Sequence, residues 1–357
     1  MRVLAVNAGS SSLKLSVVDA EDRVTTATQV DGDADRVGAL DAFINEAGDF
    51  GAVAHRIVHG GPHVRQATVL DDHVRSQLDF AATLAPLHVP PALALLDAAR
   101  RLVETPQVVC VDTAFHASLP ESATTYAIPR EWRERGIRRY GFHGLSYAWA
   151  SRRSAELLNR PHVDLQLLMA HIGSGVSVCA ARGGRSVDTS MGFTPLEGAV
   201  MARRSGSVDP GALLWLQQFH GVTAQEMSEA LEAGSGLLAL CGAPDIRDVE
   251  RRAGMGDASC SAALDVYIHV LCRTIGAVAA SLDRVDALVF TGGVGEHSAL
   301  VRSRVCAHLP VIGIPEALAS VSGDAVVATS ATGTAVVVVT AREDAEMARE
   351  SRRLLER

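Results

Sequence analysis

The stretch RVLAVNAGSSSLKLSVVD, residues 2–19, places branched apolar residues on both sides of a turn made of glycine and serine. Apolar runs bounded by small residues in this way predict a β-hairpin. A second stretch of the same design, LQLLMAHIGSGVSVCAARGG, spans residues 165–184. Further strand and helix patterns follow each stretch, so the sequence indicates two α/β halves. The pattern leaves open whether they are a duplication or contain two unrelated hairpins.

Two further strand patterns end at residues that can do chemistry. PQVVCVDTAF, residues 106–115, reads as a buried strand that ends on Asp112, and DALVF, residues 286–290, enters the glycine turn TGGVGEHS. A glycine turn between a strand and a helix exposes backbone N–H groups that can hold an anion. The same pattern also serves as an ordinary tight connection. Together with the two hairpin turns, it favours a nucleotide bound in a cleft between the halves.

Composition limits the class of protein. The chain has 357 residues, 48% of them hydrophobic, which is enough for two ordinary domains. Its net charge is −8 and its arginines are scattered among acids, so we expect no nucleic-acid partner. Six cysteines without CxxC spacing indicate a reduced compartment. No signal-peptide pattern and no apolar run of roughly 20 residues is evident, so we expect a cytoplasmic protein without a membrane partner.

Of the 33 lysine and arginine residues, only Lys14 is a lysine, and it follows the turn of the first hairpin. The turn is not a P-loop, because that motif needs GxxxxGK[ST] ahead of a helix. Small residues nevertheless let backbone N–H groups approach an anion, and an ammonium supplies a compact charge beside them. The pattern indicates a phosphate contact, with a polar hairpin tip as the alternative.

Histidines and arginines lie in glycine-rich segments. HRIVHGGPH, residues 55–63, spaces three histidines four apart, but Gly60, Gly61 and Pro62 break any helix there and exclude a helical metal site. His143 lies between glycines that favour a close backbone approach. Arginines in such loops, as at Arg204, suit carboxylate or phosphate recognition, with a solvated surface charge as the alternative.

These loops resemble the acetate kinase (acetokinase) family. The resembling segments occur in the family's order and span most of the chain; they are VNAGSSSLK (6–14), HRIVHGG (55–61), LAPLH (84–88), VDTAFH (111–116), IRRYGFHG (137–144), AHIGSG (170–175), RSVDTSMGFTPLEG (185–198), RSG (204–206), PDIRD (244–248) and FTGGVGE (290–296).

The resemblance implies the fold shared by acetate and sugar kinases, actin and the chaperone ATPases. That fold is α/β, with duplicated ribonuclease-H-like (actin-like ATPase) domains facing each other across a nucleotide cleft. On this basis residues 1–115 plus 345–357 form an N-terminal domain on the acyl-substrate side, shortened between residues 19 and 55. Residues 116–344 form a C-terminal domain for nucleotide binding and dimerisation, and the family implies a homodimer.

The implied reaction is reversible transfer of a phosphoryl group from ATP to acetate, giving acetyl phosphate and ADP, with Mg²⁺ or Mn²⁺. A propionate kinase or other short-chain acyl kinase is the alternative, because one methylene changes burial by only about 0.8 kcal/mol. A non-catalytic nucleotide-binding regulator of the same fold is a more remote alternative. Acetate is ionised at pH 7 and needs no general base. We therefore expect Asp112 to position metal or substrate.

The resemblance also assigns roles to matching positions. The catalytic residues are Asp112, His143 and Arg204. Arg56 holds the substrate carboxylate, and the other substrate-binding residues are Val58, Leu87, His88, Phe142 and Pro195. The nucleotide-binding residues are Lys14, His171, Ile172, Gly173, Ser174, Gly175, Asp245, Ile246, Arg247, Gly293, Val294, Gly295, Glu296 and His297. Magnesium is held by Asn7 and Glu343.

The chain departs from the family pattern mainly on the nucleotide side. Ser174 and His297 stand where the family usually has asparagine, and Ile246 stands where phenylalanine is common. These differences leave the preferred phosphoryl donor open.

Overall fold

A computed structural model describes residues 1–9, 12–32, 35–86, 88–317 and 320–356. The chain divides into two compact units. Unit 1 consists of Met1–Ala117, Phe142–Trp149 and Arg342–Arg357, and unit 2 consists of Ser118–Gly141 and Ala150–Ala341. The functional division into an acyl domain and a nucleotide domain stays a prediction.

Most of the strands are short runs of buried apolar side chains. In chain order they are β1 (Val3–Ala8), β2 (Ser12–Val18), β3 (Val24–Asp31), β4 (Ala52–Ile57), β5 (Thr68–Val69), β6 (Gln107–Val111), β7 (Gln166–Ile172), β8 (Val176–Arg182), β9 (Arg185–Thr189), β10 (Ala287–Thr291), β11 (Ala325–Thr329) and β12 (Ala335–Val338).

Both units contain the same sheet. In unit 1 the strand order is β3-β2-β1-β4-β6-β5, and in unit 2, read from the opposite edge, it is β9-β8-β7-β10-β12-β11. Counted in this order, the first three strands of each sheet form an antiparallel meander, the third pairs in parallel with the fourth, and the fourth pairs in parallel with the fifth. The strand order and pairing in both sheets are those of the predicted ribonuclease-H-like domain. The prediction of a duplicated α/β fold is therefore confirmed.

Helices cover the sheets or form the outer parts of unit 2. In chain order they are α1 (Arg36–Glu46), α2 (Asp72–Leu84), α3 (Val89–Leu102), α4 (Glu121–Thr124), α5 (Arg130–Arg133), α6 (Gly144–Leu157), α7 (Pro210–His220), α8 (Ala224–Ala233), α9 (Gly236–Cys241), α10 (Ile246–Gly254), α11 (Ala258–Ala279), α12 (Gly292–His297), α13 (Ala299–Ala307) and α14 (Glu343–Leu355).

Each face of the first sheet has its own core, because successive strand residues point to opposite faces. Leu4 packs in a cluster with residues of α1, α2 and α3. Val3 packs on the other face against Met347 and Ala348 of α14. Acidic residues in the first turn of α14 and arginines in its last turn complement the helix dipole. The returning helix therefore belongs to the first sheet, and its first turn lies near the end of β1.

Helix α11 is long and apolar enough to cross a membrane by length and composition alone. The sequence pattern predicts no such segment, and that expectation is wrong for this helix. Its buried residues include Leu264, Tyr267, Ile268 and Leu271. One buried face of this kind is typical of a core helix, so the helix by itself is weak support for a membrane span.

His55 is a buried histidine in the first sheet. It lies on β4 with 1% of its surface exposed, and its Nε2 lies 2.8 Å from Oε1 of Gln107 on β6. Because an amide oxygen only accepts, Nε2 is assigned as the donor. Its Nδ1 has no hydrogen-bond partner among the residues that the structure describes. Burial lowers the pKa of His55 from 6.5 to about 4.

We expect His55 to make the protein less stable in acid. Below about pH 6.5 the unfolded chain binds a proton at this histidine, whereas the folded protein does so only near pH 4, so acidification between these values favours unfolding. The shift corresponds to on the order of 3 kcal/mol at pH 4. In denaturant unfolding across this range, His55→Gln should show a shallower loss of stability than the parent. His63→Gln, at an exposed histidine, should keep the parent's slope; equal slopes for the parent and His55→Gln would contradict the expectation.

Candidate functional site

The polar residues of unit 1 meet at one edge of its sheet. Asn7 lies near the end of β1, Arg56 lies near the end of β4, and Asp112 directly follows β6. These three strands are parallel, so their carboxyl ends share one edge, where open α/β sheets usually bind ligands. Glu343 reaches the same edge as the first residue of α14. The structure thus brings together four of the predicted site residues.

Arg56 is the centre of this cluster. Its Nε donates to Oδ1 of Asp112 at 2.9 Å, and its Nη2 donates to Oδ2 of the same carboxylate at 2.6 Å. Its Nη1 donates to Oδ1 of Asn7 at 2.9 Å and lies 3.2 Å from Oε2 of Glu343. The Asn7 amide donates to that Glu343 oxygen at 2.7 Å. A guanidinium has five N–H bonds, so three hydrogen bonds leave donors for a further ligand.

The charges of this cluster do not balance. Arg56 faces the two carboxyl groups of Asp112 and Glu343. The side chain of Arg56 is 13% exposed, that of Asp112 is 1% exposed and that of Glu343 is 14% exposed. Burial raises the pKa of Asp112, and the charge of Glu343 adds to this, while Arg56 opposes it. Burial alone would lower the pKa of Arg56, but its two acidic neighbours raise it. The excess of negative charge favours a further cation.

The donor set fits a hard divalent cation. Carboxylate and amide oxygens are the ligands that Mg²⁺ prefers, and the predicted pair Asn7 and Glu343 lie in direct contact. Within the described ranges no three His, Cys, Asp or Glu residues are grouped so as to hold a metal by themselves. Mg²⁺ commonly uses one or two carboxylates and completes its shell with water and phosphate oxygens. The residues therefore fit a magnesium ion that arrives with a phosphate ligand.

Lys14 lies on β2 directly opposite Asn7 in the antiparallel register of the first hairpin. Side chains opposite each other in such a pair project from the same face of the sheet. Lys14 is exposed, and in the part of the chain that the structure describes it makes no hydrogen bond or ion pair. An uncommitted ammonium next to the cluster suits an anionic ligand.

His143 approaches the cluster through the start of α6. Its backbone has a φ of 59°, a left-handed conformation that is uncommon outside glycine, and its carbonyl accepts from Tyr147 N at 3.0 Å. Gly144 N donates to the carbonyl oxygen of Asp112 at 2.9 Å, and a Cβ at Gly144 would lie 2.1 Å from that oxygen. The glycine thus lets the chain pass against the Asp112 backbone. The close backbone approach predicted from the glycines around His143 is therefore present at Gly144.

Phe142, predicted for the acyl pocket, is buried among aromatic rings. Its ring lies 5.5 Å from that of His59 in an edge-to-face arrangement, and its carbonyl oxygen lies 3.0 Å from Nε2 of His116. Sequence patterns assign no role to these two buried histidines. Val58 is 8% exposed and His88 is partly exposed, at the start of α3. Leu87 lies outside the described residues.

Unit 2 brings its two glycine turns together. β7 and β10 are parallel neighbours in which His171 pairs with Thr291, so the turn 173–175 and helix α12 follow adjacent strand ends. Gly292 has a φ of +78°, and a Cβ there would lie 2.9 Å from the Ile172 carbonyl oxygen. Only glycine fits this approach without strain. The predicted segments 171–175 and 293–297 are therefore neighbours.

The other residues predicted to bind nucleotide differ in burial and in hydrogen bonding. Asp245 caps α10 by accepting from Arg247 N at 2.9 Å, and its carboxylate also pairs with the Arg247 guanidinium. Ile246 is buried, with 6% of its surface exposed. Glu296 accepts from Ala341 N at 3.0 Å, whereas His297 is exposed. These contacts hold the start of α10 and the end of α12 in place, and their role in nucleotide binding stays a prediction.

Arg204 is a half-buried cation whose guanidinium contacts a backbone carbonyl. Its Nη1 donates to the carbonyl oxygen of Pro195 at 2.8 Å, and burial lowers its pKa although the charge of Glu232 opposes this. Among the residues that the structure describes, no carboxylate lies within ion-pair distance of it. A half-buried guanidinium in this state favours binding of an anion.

The model of the Acetokinase family matches residues 34–349 of this chain. The acetate kinase of Synechococcus sp. is 40% identical over 100% of both chains. The crystal structure of Porphyromonas gingivalis acetate kinase superposes with a TM-score of 0.90 at 30% identity, covering 99% of each chain. A propionate kinase from Francisella tularensis superposes with a TM-score of 0.87 at 28% identity, covering 98% of each chain.

Proposed function

The chain belongs to the acetokinase family, and from this premise we propose that it is an acetate kinase. It transfers a phosphoryl group from ATP to the carboxylate of acetate, reversibly, giving acetyl phosphate and ADP. The observation that carries the proposal is the cluster of Asn7, Arg56, Asp112 and Glu343 in unit 1. A nucleotide-binding regulator has no need for a buried guanidinium with donors left for a carboxylate.

Binding of acetate is the task of Arg56. Acetate is an anion at pH 7, and the remaining guanidinium donors suit its two oxygens. Asp112 holds the guanidinium in place through two parallel hydrogen bonds. Because acetate needs no deprotonation, Asp112 does not act as a base. It orients Arg56, and its negative charge favours binding of the metal ion. The acyl contacts proposed in unit 1 are Val58 and Phe142, and the family resemblance alone adds Leu87, the neighbouring His88 and Pro195.

Phosphoryl transfer between two anions requires neutralisation of charge and alignment of the reacting oxygens. An acetate oxygen attacks the γ-phosphorus, the bond to the bridging oxygen breaks, and ADP leaves with the electron pair. Arg204 and His143 donate to the oxygens of the transferring group, where negative charge is concentrated. Arg204 suits this task because no carboxylate in the described part of the chain lies within ion-pair distance of it.

Magnesium would be held by Asn7 and Glu343, with the charge of Asp112 nearby, and would supply neutralisation of the phosphate oxygens. Lys14 contacts nucleotide phosphate. The remaining nucleotide contacts come from His171, Ile172, Gly173, Ser174 and Gly175, from Asp245, Ile246 and Arg247, and from Gly293, Val294, Gly295, Glu296 and His297.

We also propose that the enzyme is a cytoplasmic homodimer. Helix α7 is rich in apolar residues, yet none of its described residues is buried in the chain. Leu214, Trp215 and Phe219 are 54%, 51% and 71% exposed. Exposed apolar surface of this kind marks an interaction site. A second copy of the same helix is a matching apolar partner, as in an isologous two-fold interface.

The first prediction concerns the reaction itself. Purified protein with Mg²⁺ is assayed for acyl phosphate formation. Each of acetate, propionate and butyrate is combined with each of ATP, GTP and pyrophosphate as the phosphoryl donor. We expect turnover with ATP and acetate, and slower turnover as the acyl chain lengthens. Faster turnover with propionate would identify a propionate kinase. Nucleotide binding without any acyl phosphate would overturn the kinase assignment in favour of the regulator.

The second prediction concerns Asp112. Asp112→Asn should lower kcat by about 100-fold or more, because it weakens the hold on Arg56 and removes a charge from the cluster. The acid limb of the pH–rate profile should keep its midpoint, because no general base is lost. Thermal denaturation controls for folding. A displaced or missing acid limb in the variant would show that Asp112 is a base.

The third prediction concerns the dimer. Light scattering after gel filtration should give about twice the chain mass of 37.6 kDa for the parent. The double variant Leu214→Glu, Trp215→Glu should give a single chain mass, because it places charges on the apolar face of α7. Leu102→Glu, at an exposed leucine of α3, should stay dimeric. A parent that is monomeric at micromolar concentration would contradict the proposal.

A further inference from the structure

The loop that carries Arg204 is held by the start of the short helix α9. Three backbone N–H groups there donate to three consecutive carbonyl oxygens of the loop: Ser235 to Arg203 at 2.8 Å, Leu237 to Met201 at 3.0 Å, and Leu238 to Ala202 at 3.0 Å. The first N–H groups of a helix have no partner within the helix. The loop therefore supplies the acceptors that α9 needs, and α9 fixes the path of the loop.

The same loop is tied on its other side. Ala202 N donates to the carbonyl oxygen of Ser174 at 3.1 Å, in the glycine turn after β7. Met201 N donates to the Arg204 carbonyl oxygen at 3.2 Å, which closes the loop into a tight turn. The backbone beneath Arg204 is thus fastened to α9 and to the turn predicted to line the phosphates.

Gly236 makes this approach sterically feasible. It is the first residue of α9, and its φ is +65°. A Cβ at this position would lie 2.2 Å from the Met201 carbonyl oxygen and 2.9 Å from the Arg204 carbonyl oxygen. Both distances are shorter than non-bonded contacts allow, and both oxygens belong to backbone. Any other residue must push the loop away from α9.

The position of the Arg204 guanidinium depends on the backbone of its loop more than the position of the Arg56 guanidinium depends on its strand. Arg56 is gripped by two carboxyl groups, whereas the Arg204 side chain has a hydrogen bond to the Pro195 carbonyl and no ion pair in the described part of unit 2. A displacement of the loop would therefore move the guanidinium, since no acidic partner holds it in place.

We propose that Gly236 is a positioning residue for phosphoryl transfer, which acts by allowing the start of α9 to hold the Arg204 loop. The inference rests on the proposed role of Arg204 in the reaction. It assigns a catalytic consequence to a glycine that is not expected to touch either substrate.

The chain offers a matched control at the other end of the same helix. Gly242 follows α9 with a φ of +76°, and a Cβ there would meet nothing within 4 Å. Gly236→Ala and Gly242→Ala therefore impose the same kind of backbone strain. Only the first adds a collision with the loop.

We expect Gly236→Ala to lower kcat for acetyl phosphate formation by about 100-fold, the usual consequence of misplacing a group by about 1 Å. The KM for acetate should stay near that of the parent, and Gly242→Ala should keep the parent's kcat. Melting temperatures are measured for both variants. Leu238→Pro removes one of the three donors in the first helical turn, where proline is tolerated, and should also lower kcat. It provides a second route if Gly236→Ala does not fold.

The decisive measurement combines Gly236→Ala with Arg204→Ala. If the glycine acts through the arginine, adding Gly236→Ala to Arg204→Ala should cost no further activity. A further loss equal to that seen in the parent background would overturn the inference, as would equal kcat values for Gly236→Ala and Gly242→Ala. Full activity of Arg204→Ala would instead refute the proposed role of Arg204. The two failures are therefore distinguishable.

Discussion

The paired hydrogen bonds between Arg56 and Asp112 are the interaction on which the active edge of unit 1 depends. Burying a guanidinium and a carboxylate is costly unless each finds a partner of matching geometry. The sheet supplies that geometry, because β4 and β6 are parallel neighbours that end side by side. Asn7 and Glu343 then complete the surroundings of the arginine. The cluster is therefore a property of strand order as much as of residue identity.

The two arginines proposed to act on the substrates are stabilised in opposite ways. Arg56 is paired with two carboxyl groups and an amide, so its position is fixed by side-chain contacts and the net charge of the cluster favours a cation. Arg204 is half-buried and has no ion-pair partner among the described residues, so it suits an anion and relies on backbone contacts for its place. Phosphoryl transfer to a carboxylate needs both conditions, because metal and phosphate must be bound at the same time.

A structural feature can be predicted from sequence when it depends on residues close together in the chain, and not when it depends on contacts between distant residues. The two hairpins and the buried strands are local patterns that indicate two α/β halves, and the family motifs were needed to predict that the halves are duplicates. Motifs also predict individual site residues, but not their contacts: Asn7 and Glu343 are hydrogen-bonded although they lie 336 positions apart. Gly236 carries no local signal, because its importance comes from carbonyl groups of an earlier loop. Helix α11 shows the converse, since only its buried face distinguishes it from a membrane helix.

The return of α14 to the first sheet has a consequence for the order of synthesis. Every strand of the first sheet leaves the ribosome before unit 2 is made, yet Glu343 and the helix that covers β1 come after it. During translation the first sheet is thus left with one apolar face uncovered and with Arg56 short of one acidic neighbour. Under the proposed function, the sites for metal and acetate are therefore incomplete until α14 has been translated, which ties the onset of activity to synthesis of that helix.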